Sequence, residues 1–146
     1  MLEEIYNFLQ LSDRIATSGQ PTEGQFREIS HAGYEVVINL GLTGTDYALE
    51  DEAGFIRSLG MKYVHIPVIW ENPTPENLDE FTSAMGEHQG NKVFVHCAAN
   101  MRVSVFMALY RILHLRWDRE RAMEDVRRIW ELNAVWDAFI QQMLNG

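Results

Sequence analysis

Four short apolar runs bounded by turn residues punctuate the chain, at Arg14–Ser18, Glu35–Leu40, Lys62–Val68 and Lys92–His96, and each reads as a buried strand. Between them, apolar positions recur at helical spacing over Glu23–His31, Ala48–Ser58 and Glu76–Gln89, each stretch closed by a glycine: Gly33, Gly60 and Gly90. A helix in every crossover is how parallel strands are joined. Val36, Val37 and Ile38, like Val93, Phe94 and Val95, are apolar without alternation, as in strands covered on both faces. The pattern predicts an α/β fold with a mainly parallel sheet flanked by helices. After His96, Val103, Phe106, Met107, Tyr110 and Leu113 return every three or four residues, so the last strand feeds a helix through a short loop. Two further helices, Arg119–Leu132 and Ala134–Leu144, complete the chain, the second burying Val135, Phe139, Ile140 and Met143.

Length adds that one domain, spanning 1–146, can bury a sufficient core. Apolar types at 47% and charged types at 23% are ordinary values for a globular protein. The opening Met1-Leu2-Glu3-Glu4-Ile5 is acidic and amphipathic rather than a basic-then-apolar export signal. No apolar run approaches the ~20 residues a membrane span needs, so a cytoplasmic protein is expected. A net charge of −9 makes nucleic acid and anionic membranes poor partners. Basic residues between Arg111 and Arg128 interleave with Asp118, Glu120, Glu124 and Asp125, which reads as a solvated helix face. The four tryptophans read as core.

Chemistry concentrates at one place. In open α/β sheets, ligands gather beyond the carboxyl ends of the strands, and there the chain places its only cysteine, Cys97. From Lys92 to Phe106 the segment reads as strand, turn and helix. Backbone N–H groups of a tight loop entering a helix carry partial positive charge that favours an anion, and the same field favours the ionised form of a cysteine held there. Arg102 offers a planar fork for two oxygens of an oxyanion. Ala98 and Ala99 are small enough for close backbone approach, and Asn100 tolerates a left-handed conformation. Cys97 is thus a candidate thiolate nucleophile, and Ala98, Ala99, Asn100, Met101, Arg102 and Val103 a candidate phosphate-binding loop.

Val95-His96-Cys97, followed by Arg102 and Ser104, resembles the signature loop of the cysteine-dependent protein tyrosine phosphatases, in the compact dual-specificity-like layout. Ser18-Gly19-Gln20-Pro21-Thr22, Val37–Leu40 and Val64-His65-Ile66-Pro67 resemble the bacterial beta-lactamase-hydrolase-like branch of that superfamily. The resemblance implies a three-layer architecture around a four- to five-stranded sheet. It implies a phosphatase acting on a phosphorylated small molecule or protein through a cysteinyl-phosphate on Cys97, with no metal or cofactor. It also implies loop ordering by His96, assistance by Ser104 to the departing thiolate, and a general acid after the preceding strand, where Glu71 is the only carboxyl group. Asp46 and Asp51 are weaker candidates for that acid.

Four residues, rather than the five of the general signature, separate Cys97 from Arg102. The beta-lactamase-hydrolase-like branch is similar in this, and so is the rhodanese sulfurtransferase loop. A sulfurtransferase carrying a Cys97 persulfide therefore stays open, as does an inactive module that binds a phosphorylated ligand. A Gly-rich Lys-Ser/Thr nucleotide loop, a His-Glu-x-x-His zinc helix and a Gly-x-Ser-x-Gly elbow are absent from the sequence.

Overall fold

The structure, a computed structural model describing residues 1–146, carries a five-stranded sheet. Its strands are β1 (Leu9–Gln10), β2 (Ile15–Ser18), β3 (Val36–Asn39), β4 (Lys62–His65) and β5 (Val93–His96), in the spatial order β1-β2-β5-β3-β4. β2, β5, β3 and β4 are mutually parallel, and only β1 runs antiparallel, at the β2 edge. The helices are α1 (Glu23–His31), α2 (Glu52–Ser58), α3 (Pro75–Glu87), α4 (Met101–His114), α5 (Arg119–Ile129) and α6 (Ala134–Asn145).

Period-two alternation divides the core into two layers. Val36, Ile38, Val93 and Val95 face a large cluster built with α3, α4, α5 and α6. Val37 and Phe94 face a smaller one, in which Phe26 and Ile29 of α1 and Ile56 of α2 are fully buried. The apolar runs of β3 and β5 are therefore covered on both faces, as expected. β5, the last strand in sequence, lies in the middle of the sheet, so its carboxyl end opens between β2 and β3.

Several boundaries shift for local reasons. β4 ends at His65 rather than Val68, although Ile66 and Val68 still donate to Asn39 and Leu40 carbonyls at 2.9 and 3.0 Å; Pro67 between them has no amide to give. α2 begins at Glu52 because Asp51 is its N-cap, accepting from the Gly54 amide at 3.1 Å. This removes Asp51 from the candidate acids. α5 stops at Ile129, and Trp130 turns extended (φ −165°) to place its indole against Trp70 and Trp136.

Side-chain placement corrects three further expectations. Leu113 and Val135 are exposed, because α4 buries every position from Arg102 to Arg111 before it emerges and α6 turns Trp136 inward instead. Arg111 is not on a solvated face: it is buried, bonded to Asp125 at 2.8 Å and stacked over Trp117. No helix is long and apolar enough to cross a membrane.

Candidate active site

β5 delivers Cys97 to the open end of the sheet, and the chain then turns into α4 through Ala98, Ala99 and Asn100. The turn is pinned from behind by β2 and the segment after it: Cys97 N donates to Ser18 O at 3.4 Å and Gln20 N to Ala98 O at 3.0 Å. Asn100 takes the left-handed conformation (φ 65°, ψ 3°) that its residue type tolerates. Its side-chain amide donates to Asn7 O at 2.9 Å and Thr17 Oγ1 at 3.0 Å, so it points away from the helix it precedes.

That orientation has an electrostatic result. α1, α2, α3, α5 and α6 each begin under a side-chain cap, from Thr22, Asp51, Thr74, Asp118 and Asn133. α4 has none. Its first internal bond is Ser104 N to Asn100 O at 2.9 Å, so the amides of Met101, Arg102 and Val103 have no acceptor within the helix. Together with the helix dipole they favour an anion beside Cys97.

An open cavity of about 350 Å³ lies over this loop, lined by Cys97, Ala98, Ala99, Met101 and Arg102 on one side and by Leu42, Thr45, Tyr47, Trp70 and Glu71 on the other. Cys97 is only 1% exposed, at the cavity floor. Arg102, the second residue of α4, reaches the same cavity despite the short spacing. One guanidinium nitrogen donates to Val68 O at 2.7 Å and the other to Tyr47 Oη at 3.4 Å. Trp70 is supported by the Trp136 indole, which donates to its carbonyl at 2.9 Å. One cation, one carboxylate and largely apolar walls suit a ligand carrying a single anionic group on an apolar body.

The other residues singled out from the sequence fall as follows. Glu71 lines the cavity at its exposed rim. Val103 turns its side chain into the core, leaving only its amide to the loop. The Ser104 hydroxyl donates to Met101 O at 2.6 Å and accepts from the Trp130 indole at 3.0 Å, away from the Cys97 cavity. Asp46 is exposed and does not line it. His96 is fully buried beneath the loop, Nδ1 3.2 Å from Cys97 O.

A buried network that the sequence did not announce stands behind His96. Glu52 accepts from His96 Nε2 at 2.7 Å, Tyr63 Oη at 2.9 Å and Gln20 Nε2 at 2.8 Å. Burial pushes the Glu52 carboxyl up, but His96 and the other two donors outweigh it and hold it below its ordinary value. Tyr63 is driven up, first by burial and then by the Glu52 charge. Asn39 donates to Tyr63 Oη at 2.9 Å and accepts from Gly41 N at 2.7 Å. The network thus runs from the floor of the Cys97 loop to the start of the segment carrying Leu42, Thr45 and Tyr47. Gln20 lies within a quoted motif, whereas Glu52 and Tyr63 looked like ordinary helix and strand residues.

A cysteine beyond a central parallel strand, with an arginine in the first turn of the next helix lining the same cavity, is an arrangement that fits the protein tyrosine phosphatase class. The chain belongs to the family described as a DSP-PTPase phosphatase fused to NAD+ kinase, whose model matches residues 7–137. It is 29% identical over 115 residues to the beta-lactamase hydrolase-like protein of Xylella fastidiosa, a match covering 77% of this chain and 26% of that relative. This chain therefore corresponds to about a quarter of the relative's length. A crystal structure of a protein assigned as a phosphatase (DUF442) from Shewanella putrefaciens CN-32 superposes with a TM-score of 0.87 at 34% identity, covering 99% of this chain and 95% of that one. Tk-PTP in its active form shares the fold, with a TM-score of 0.75 at 22% identity over 95% of this chain and 94% of the other.

Proposed function

We propose that the protein hydrolyses phosphate monoesters through a cysteinyl-phosphate on Cys97. The observation carrying this reading is that Cys97 and Arg102 line one cavity at the N-terminus of α4, the one α-helix that starts without a side-chain cap. The Cys97 thiolate attacks phosphorus in line, the ester P–O bond breaks, and its electron pair goes to the leaving oxygen. The loop amides, from Ala98 to Val103, and the Arg102 fork bear the charge on the equatorial oxygens. Water then attacks phosphorus and expels the thiolate, releasing phosphate. His96 orders the loop by bonding the Cys97 carbonyl. The leaving oxygen needs a proton, and the cavity offers two acidic groups for it, the Glu71 carboxyl and the Tyr47 phenol.

With Arg102 the only cation lining the cavity and Leu42, Trp70 and Met101 among its apolar walls, the preferred substrate carries one phosphoryl group on an apolar or aromatic body. The test is turnover of an aryl phosphate. Wild type is expected to release phosphate, Cys97→Ser to release none, and Arg102→Lys to lose about 100-fold or more in kcat/KM, since an ammonium cannot replace the bidentate fork. Thiocyanate formation from thiosulfate and cyanide without ester hydrolysis would install the sulfurtransferase reading instead. Tight phosphopeptide binding without turnover would install the binding module.

A further inference from the structure

Building on the phosphatase reading, we propose that Tyr47 is the residue that protonates the leaving oxygen. Its phenol lines the Cys97 cavity on the wall facing the loop. Its oxygen accepts from the Leu42 amide at 2.9 Å and from Arg102 Nη2 at 3.4 Å. The amide and the guanidinium are donors without acceptor capacity, so neither takes the phenolic hydrogen, and the neighbouring Thr45 hydroxyl adds support to the phenolate. That hydrogen is available to a substrate oxygen in the cavity.

The surroundings that hold the phenol also suit its anion. Arg102 is fixed by its 2.7 Å bond to Val68 O, which keeps its second nitrogen directed at Tyr47. The Leu42 segment is tied down through Gly41, whose amide bonds Asn39 Oδ1 and whose carbonyl bonds His65 Nε2, each at 2.7 Å. Partial burial raises the Tyr47 phenol, but the Leu42 amide and the Arg102 guanidinium outweigh burial and bring it below its ordinary value, toward the range a general acid needs. The ionisable groups sharing the cavity are Cys97, Arg102 and Glu71. Of the two candidate donors, Glu71 stands at the exposed rim, whereas Tyr47 abuts the guanidinium expected to hold the phosphoryl group.

The step balances. As Cys97 Sγ bonds phosphorus and the ester bond breaks, the Tyr47 hydrogen passes to the departing oxygen and leaves a phenolate held by Leu42 N–H and Arg102. In the second step the phenolate takes a proton from the attacking water as the S–P bond breaks, which restores the phenol and the thiolate.

Leaving-group dependence distinguishes this role. 2,4-Dinitrophenyl phosphate departs without a proton, and phenyl phosphate requires one. For Tyr47→Phe, kcat/KM is expected to fall about 100-fold or more on phenyl phosphate and less than about threefold on the dinitrophenyl ester, with loss of the alkaline limb of the pH profile. In Glu71→Gln any loss is expected to be equal on the two esters, because a group that donates no proton to the leaving oxygen cannot discriminate between them. An equal loss on both esters in Tyr47→Phe would make Tyr47 a positioning residue and overturn the proposal. So would a selective loss on phenyl phosphate in Glu71→Gln, while leaving the phosphatase reading intact. If wild type turns over neither ester, that reading falls and the Tyr47 role with it.

Discussion

Glu52 Oε2 lies 2.7 Å from His96 Nε2, and the two side chains are 7% and 0% exposed. The other ring nitrogen of His96 faces the Cys97 carbonyl at 3.2 Å. Both partners of the ring accept hydrogen bonds, so both bonds form together only when each nitrogen carries a hydrogen. The Glu52 carboxylate thus lies directly beneath the loop as the hydrogen-bond partner of the ring.

Glu52→Gln removes the charge while keeping the shape, and it leaves His96 without its anionic partner. Removing the charge from a buried acceptor of three hydrogen bonds costs about 3 kcal/mol or more. The folded-state carboxyl is held below its ordinary value, so its contribution is present above about pH 4.3, the usual glutamate value. It is lost as the pH falls through that value toward the lower folded-state one. Urea unfolding should show the widest gap between wild type and variant near pH 7 and a narrowing gap below about pH 4. Equal stability at pH 7, or a gap independent of pH, would contradict the pairing.

Asn100 combines a left-handed backbone with two side-chain bonds, to Asn7 O and Thr17 Oγ1. Asn100→Gly keeps the backbone at ease and loses both bonds, a cost of about 2 kcal/mol. Asn100→Ala loses the same bonds and adds about 1–2 kcal/mol for the left-handed conformation. The extra freedom of unfolded glycine offsets up to about 1 kcal/mol of that difference. Chemical denaturation should therefore rank wild type, then Gly, then Ala, with a gap of up to about 1.5 kcal/mol between the two variants. Alanine proving the more stable variant would mean that φ 65° carries no strain.

The parts of this site that could be read in advance are those whose signal is local. Cys97 and Arg102 sit in one short segment, and the runs flanking them have the periodicity of β5 and α4, so the strand-loop-helix unit was visible. Asn100 was legible because a left-handed turn selects among few residue types. Glu52, Tyr47 and Tyr63 were not, because all three are brought to the loop by the β3–α2–β4 stretch, more than 30 residues from Cys97 in sequence, and nothing in that stretch distinguishes them from ordinary polar and aromatic residues. β1 escaped notice since two residues carry no alternation. The helical spacing predicts Trp130 inside a helix, whereas the contacts that draw it out are with Trp70 and Trp136, 60 residues upstream and six downstream.

Gly19 marks where β2 leaves the sheet and touches the loop. A Cβ there would stand 2.7 Å from Ala98 O and 2.7 Å from Tyr6 Cδ2. The exposed Tyr6 ring can swing aside, but Ala98 O is backbone, and it also accepts the Gln20 amide at 3.0 Å. In Gly19→Ala the methyl group is therefore expected to displace the residue next to Cys97. Overpacking of this kind costs about 1–3 kcal/mol. A shift near 1 Å at a reacting centre costs on the order of 100-fold in rate, so activity should suffer more than stability. Gly24→Ala is the matched control, since its nearest neighbour beyond the backbone of α1 is Thr22 Oγ1 at 3.9 Å. It should gain about 0.5–1 kcal/mol from helix propensity and leave aryl phosphate turnover unchanged. A Gly19→Ala protein as active as wild type would show that the Cys97 loop is not held in place by its contact with β2.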